Sequence, residues 1–127
     1  MTPAEYRSLD AEVAVKVMGW NHVGRLPLNS VEYAGEEFED TLQGCWYKDH
    51  VHVAHGRERW APSTDIQAAW EVVEKLVADG GGVQVHGYNG AWYVSSDRVK
   101  TYGTERRFIE SSAPLAICRM ALATVAR

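Results

Sequence analysis

The fold is decided by residues 83–96, VQVHGYNGAWYVSS, where two runs typical of β-strands flank an Asn-Gly pair. Asn89 and Gly90 both tolerate the positive φ of a type I′ turn, so the pair predicts an antiparallel hairpin with a two-residue loop. Alternation along each strand then separates two faces. The apolar face, expected in the core, carries Val83, Val85, Trp92 and Val94. The other face, a polar aromatic platform, carries Gln84, His86, Tyr88, Tyr93 and Ser95.

Three helices are predicted around this hairpin. The first, about residues 3–18, begins at a capping box made by Thr2 and Glu5. The second, about residues 64–79, has the strongest helical period in the chain and ends at a run of three glycines. The third, about residues 113–126, is apolar almost all round, so we expect it to be buried on more than one side.

The rest of the chain has weaker patterns. Residues 20–62 are predicted to be irregular, apart from one strand signal over 46–54, and a further strand is predicted at 104–110. The whole chain, 1–127, has the length of one core. We therefore predict a single α+β domain, a three-layer α/β/α sandwich with a small, largely antiparallel sheet and three helices.

Composition and charge limit the function. Hydrophobic residues make up 46% of the chain, which excludes a disordered protein. A net charge of −4 argues against binding to nucleic-acid polymers or anionic membranes, and no apolar stretch approaches the roughly 18–20 residues that cross a bilayer. The N-terminus is too polar for a signal peptide, and Cys45 and Cys118 are too far apart to indicate a disulfide framework. We expect a cytoplasmic protein.

Three stretches together resemble the phage ABA sandwich domain family. They are LDAEVA with VMGW at 9–20, PSTDIQAAWEVV at 62–73 and APLAICRMAL at 113–122, and they occur in the family's order. The resemblance implies a bacteriophage or prophage origin, and hence a host bacterial cytoplasm, and an α/β/α sandwich. It implies no catalytic residues, because the matching stretches are capping and packing patterns.

A histidine cluster is the weak candidate for a metal site. His50, His52 and His55 form H-x-H-x-x-H, and two histidines at i and i+2 on a strand point the same way, as zinc ligands require. The alternative is an ordinary polar strand face. This cluster carries the hypothesis of a metal-dependent hydrolase, which metal analysis of the purified protein would decide.

Aromatic and basic residues favour a different function, the binding of a small nucleotide-like ligand. Aromatic rings stack on bases and guanidinium groups pair with phosphates, whereas no catalytic motif is recognisable. We therefore predict a non-enzymatic binding protein without a cofactor, which sequesters a nucleotide-derived ligand such as a host immune signal. The predicted ligand-binding residues are Arg57, Arg59, Trp60, His86, Tyr88, Tyr93, Arg106 and Arg107.

Two further expectations concern protein partners. The alternative function is a protein–protein interaction module, an inhibitor or a self-assembling phage accessory protein, which the acidic run from Glu32 to Asp40 and exposed Trp residues would serve. Under each hypothesis we expect a homo-oligomer, because five Trp and a nearly all-apolar helix give more apolar surface than one small core hides.

Overall fold

The computed structural model describes part of the chain. The backbone is described for residues 1–22, 45–48, 51–56 and 60–126, and the side chains for 1–20 and 60–126. The chain divides into two compact units, and each is described by itself. The larger is Met1–Met18 with Ala61–Arg127, and the smaller is Gly19–Trp60.

Three helices and antiparallel strands confirm the predicted α+β class. In chain order the described elements are α1 (Pro3–Glu12), a π-helical turn (Val13–Val17), β1 (Asn21–His22), β2 (Cys45–Lys48), β3 (Val51–Gly56), α2 (Ile66–Ala78), β4 (Val83–Tyr88), β5 (Ala91–Thr101), β6 (Thr104–Glu110) and α3 (Ala113–Val125).

The sheet of the larger unit has the order β4-β5-β6 and is antiparallel throughout. Asn89 and Gly90 have φ of 55° and 80°, as a type I′ turn requires, and His86 pairs with Tyr93 in the predicted register. β5 continues to Thr101, beyond the predicted end of the hairpin at residue 96. A second turn with positive φ, at Tyr102 and Gly103, then leads into β6.

N-cap residues determine where the first two helices begin. Thr2 and Glu5 form the predicted capping box at α1, with distances of 2.7 and 3.2 Å between the backbone nitrogens and side-chain oxygens. The last turn of this helix is wider, and the Met18 N–H donates to the Val13 carbonyl at 3.0 Å. α2 begins two residues after the predicted start, because Asp65 is its N-cap and accepts from the Gln67 N–H.

α3 is the centre of the core. It packs against β5 and β6, against α2 and against the π-helical turn. Contact on several sides explains why α3 is apolar almost all round. The buried side chains of α3 include Leu115, Ala116, Ile117, Cys118, Met120 and Ala121.

The β4–β6 sheet has two unlike faces. Cross-strand pairing puts Val85 beside Val94 and Val94 beside Phe108 on the side that α3 covers, and we call this side the helix face. Trp92 belongs to the same side but is 38% exposed, so the prediction that it lies in the core is wrong. Its ring lies over Gly87, where an added Cβ would be only 2.7 Å from the ring. We call the opposite side the open face.

A buried carboxylate joins the first helix to the start of the second. Asp10 in α1 accepts a hydrogen bond of 2.8 Å from the Ser63 backbone N–H, and both residues are buried. Burial raises the pKa of Asp10, and the hydrogen bond from the Ser63 backbone partly offsets that rise. The bond fixes where α2 begins relative to α1.

The smaller unit contains the antiparallel order β1-β2-β3. The prediction of one strand over residues 46–54 is wrong, because β2 ends at Lys48 and β3 begins at Val51. In the same unit the rings of Trp20 and Trp60 meet edge to face, with centroids 4.6 Å apart. Trp60 is only 1% exposed, so its ring belongs to the packing.

None of the described helices is long and apolar enough to cross a membrane.

Candidate ligand-binding site

The open face of the β4–β6 sheet forms a shallow cavity of about 420 Å³. Binding sites for small molecules have volumes of roughly 300–1,000 Å³. The cavity is lined by Gln84, His86, Tyr88, Tyr93, Ser95 and Arg107.

Strand register brings these residues together. Gln84 pairs with Ser95 across β4 and β5, and Ser95 pairs in turn with Arg107 of β6. Side chains directly opposite each other in an antiparallel pair point to the same face, about 5 Å apart at Cβ. The Asn89-Gly90 turn sets the first of these pairs, so the local sequence of the hairpin determines the floor of the cavity.

Three aromatic rings form one edge of the cavity. The His86 ring is stacked with the Tyr88 ring at a centroid distance of 6.5 Å and an interplanar angle of 26°. The Tyr93 ring meets His86 edge to face at 6.2 Å and 60°. Tyr88 is 64% exposed, so a large part of its ring is available to a ligand. A ring pair held in this way is a stacking surface for a planar group.

Polar groups lie on the other side of the cavity. The Ser95 hydroxyl is buried and donates to Glu105 Oε1 at 3.2 Å, which orients it. Arg107 lies beside Ser95 in the ladder and is exposed, so its guanidinium can meet an anion. The cavity therefore combines an aromatic surface, an amide, an ordered hydroxyl and one guanidinium, which together suit binding.

The fold separates Arg106 from Arg107, although both were predicted to bind the ligand. Arg106 is on the helix face with its guanidinium 4.6 Å from the centre of the Phe108 ring, so it does not line the cavity with Arg107. Arg98 donates to the Asp79 carbonyl at 2.7 Å at the end of α2 and lies against Gly80 and Gly81.

The remaining predicted binding residues come from the smaller unit. Trp60 is enclosed against Trp20, which leaves no exposed ring face for stacking. Arg57 and Arg59 lie outside the described residues. Of the predicted eight, the cavity unites His86, Tyr88, Tyr93 and Arg107.

The side chains of the predicted histidine cluster lie outside the described residues. His50 lies outside the described residues, and His52 and His55 are described only as backbone of β3, so the histidine cluster stays a prediction. Among the side chains of residues 1–20 and 60–126, no three potential ligands are close enough together to hold a metal ion. Cys118 is buried in α3, and burial raises the pKa of its thiol, so it is not a reactive thiolate at neutral pH.

Glu105 is the residue near the cavity that sequence analysis missed. The pair Ser95–Arg107 is followed along the ladder by the pair Lys100–Glu105. Between these two pairs β5 advances by five residues and β6 by only two. The resulting bulge lies next to the Ser95–Glu105 hydrogen bond. Ser95, Ser96 and Asp97 interrupt the alternation at this point, but the interruption does not indicate which residue accepts from the Ser95 hydroxyl, so the bond could not be predicted.

Comparison with known proteins identifies the family. The model of the phage ABA sandwich domain matches residues 11–122. The chain belongs to the phage ABA sandwich domain family. This match confirms the resemblance found in the three sequence stretches.

A solved structure agrees with this assignment. The chain is similar to a phage protein from Bacillus cereus ATCC 14579, whose crystal structure was determined at 2.0 Å, with a TM-score of 0.59 and 23% identity. The similarity covers 98% of this chain and 93% of that protein. At this identity the likeness establishes the fold. No curated protein matches the chain significantly.

Proposed function

We propose that this member of the phage ABA sandwich domain family is a non-enzymatic binding protein that holds a small nucleotide-derived ligand on its open face. The observation that carries the proposal is the cavity that joins the stacked His86–Tyr88 pair to Arg107. Stacking and forked hydrogen-bond donation are the two interactions that a base and a phosphate need.

Each part of a nucleotide has a counterpart in the cavity. The base stacks on Tyr88 and His86, and the Gln84 amide, which both donates and accepts, meets the polar edge of the base. The phosphate pairs with Arg107, whose planar guanidinium can form two parallel hydrogen bonds. Tyr93 supports the His86 ring from the side.

The proposed biological role is sequestration of a nucleotide signal used in host immunity, in the cytoplasm of the bacterial host. Family membership supports this, because the family is that of a phage domain. Capture of a signal needs affinity and no chemical step, which fits a cavity with an aromatic surface and one guanidinium.

Isothermal titration calorimetry against a panel of linear and cyclic nucleotides tests the proposal. We expect heat with at least one nucleotide, and less affinity in Arg107→Ala by roughly 10- to 100-fold, the value of a charge-assisted hydrogen bond. Tyr88→Ala should lose a similar factor, since base–aromatic stacking is worth about 1–3 kcal/mol.

Two matched controls keep the test specific. Arg106→Ala removes the neighbouring arginine from the helix face, and Tyr102→Ala removes a fully exposed tyrosine from the second turn. Both should bind like the unmodified chain. The proposal fails if no nucleotide binds, or if the control variants lose as much affinity as Arg107→Ala and Tyr88→Ala.

A second candidate function, docking on a host protein, is favoured by the exposed side of α2. Ile66, Trp70 and Val77 lie along one stripe of this helix, and each is about half exposed. Exposed Trp in an apolar stripe is typical of an interface centre. The acidic run from Glu32 to Asp40 lies outside the described residues.

Affinity capture from host lysate separates this candidate from the first. A bound host protein should be lost with Trp70→Glu and retained with Tyr102→Glu, which places the same charge at an exposed aromatic position elsewhere. Equal capture by the two variants would contradict docking through α2.

A further inference from the structure

The two edges of the β4–β6 sheet differ in charge. β6 carries Glu105, Arg106, Arg107 and Glu110 within seven residues, whereas β4, VQVHGY, has no acidic residue, lysine or arginine. Charged side chains on an edge strand disfavour pairing with another chain. Within the described part of the chain, β4 pairs only with β5. Its outer edge therefore lacks the protection that β6 has.

The hairpin geometry shows which backbone groups of β4 point outward. Tyr88 and Ala91 close the two-residue turn, so they exchange hydrogen bonds, and the bonded pairs then alternate along the ladder. The N–H and C=O groups of Val83, Val85 and Gly87 point away from β5. Val85 is the middle one of these three residues. Two copies of this edge can therefore pair antiparallel about a twofold axis at Val85.

We propose that β4 pairs antiparallel with β4 of a second copy of the chain, about a twofold axis at Val85. In this register Val85 faces the partner's Val85, and Val83 faces the partner's Gly87. On the open face Gln84 lies opposite the partner's His86, a pair of polar side chains able to form a hydrogen bond.

Several observations favour a second copy as the occupant. An antiparallel strand pair with its axis on one residue is self-complementary, so the same patch serves both chains. The register opposes no like charges, because β4 contains no Asp, Glu, Lys or Arg. Val83 and Val85 are partly buried on the helix face, so the pairing extends an apolar surface that already exists.

The pairing would also enlarge the candidate ligand site. Gln84, His86 and Tyr88 line the cavity, and all three belong to the edge strand. The partner's strand therefore continues the wall of the cavity. Two open faces then join in one six-stranded sheet.

Sedimentation equilibrium on the full chain and on Val85→Pro tests the pairing. Proline removes an outward N–H that the β4–β5 ladder does not use, a position where edge strands tolerate it. We expect the unmodified chain to have twice the mass of one chain and Val85→Pro to have the mass of one chain. Ile109→Pro, at an outward position on the charged β6 edge, is the matched control and should remain a dimer.

A charge swap makes the test independent of any damage by proline. Val85→Lys and Val85→Glu place like charges opposite each other at the axis, so each variant alone should be monomeric. An equimolar mixture should form the heterodimer. A monomeric unmodified chain at every soluble concentration, a dimer that persists in all three Val85 variants, or a mixture that stays monomeric would overturn the proposal.

Discussion

The two faces of the β4–β6 sheet consist of the same three strands but have opposite roles. On the helix face Val94 and Phe108 are buried under α3, whereas on the open face Tyr88 and Ile109 remain more than half exposed. Alternation along the strands separates the two sets residue by residue. One face therefore carries the stability of the larger unit, and the other is available for binding.

The largest difference should come from two isoleucines. Ile117 in α3 is fully buried, whereas Ile109 on the open face is 54% exposed. Ile117→Ala should lower the free energy of unfolding by about 2–5 kcal/mol, because it leaves a cavity in a packed core. Ile109→Ala should cost less than about 1 kcal/mol. Urea denaturation of both variants measures this, and equal losses would contradict the division between the faces.

Gly87 should show the next largest effect. A Cβ at this position would lie 2.7 Å from the Trp92 ring, so Gly87→Ala forces the ring to move and should cost about 1–3 kcal/mol. Thermal denaturation checks the loss. Trp92→Thr removes the obstacle, so adding Gly87→Ala to that variant should cost much less. An unchanged cost in the double variant would show that the ring is not the cause.

Two arginines extend the comparison to charged residues. Arg98 donates to a carbonyl at the end of α2, so Arg98→Ala should lower the free energy of unfolding by about 1 kcal/mol. Arg107→Ala should leave stability nearly unchanged and weaken ligand binding instead. Urea denaturation of both variants measures the loss of stability, and nucleotide titration of both measures the loss of affinity. The prediction would be contradicted if Arg107→Ala lowered the free energy of unfolding and Arg98→Ala did not.

The smallest effect concerns pH. The pKa of Asp10 is raised by burial from its ordinary value of 3.8, so the folded state favours the protonated form. This contribution to stability is complete below the unfolded pKa and is lost as pH rises through the folded pKa. Asp10→Asn should therefore become more stable relative to the unmodified chain as pH rises over that range. Urea denaturation at several pH values gives the slope, and a parallel pair of curves would contradict the burial effect.

Much of the open face could be predicted because one local signal determines it. The Asn89-Gly90 turn sets the register, and the register puts His86, Tyr88 and Tyr93 on one face. Alternation along residues 104–110 also places Arg106 and Arg107 on opposite faces of β6. Both were predicted to bind the ligand, although this pattern already indicates that only one of them can lie on the open face.

Other features could not be predicted from local sequence. Trp60 lies in no periodic pattern, so its burial against Trp20 depends on residues distant in the chain. Trp70 matches the helical stripe of α2 but is 49% exposed. Periodicity predicts which side of a helix faces the core, but it does not predict how much of that side neighbouring residues cover. The bulged part of β5 contains Asp97 and Arg98, which bond to Gly82 and to the end of α2, and local sequence does not show these partners.

The chain's three isoleucines allow one direct measurement of the central claim. Ile109 reports on the open face, Ile117 on the core and Ile66 on the exposed stripe of α2. Their ¹³C-labelled methyl groups can be followed by NMR while a nucleotide is added. We expect the Ile109 methyl signal to shift through the ring current of the bound base, while the Ile66 signal stays in place. A nucleotide that shifts Ile66 but leaves Ile109 unchanged would contradict binding on the open face.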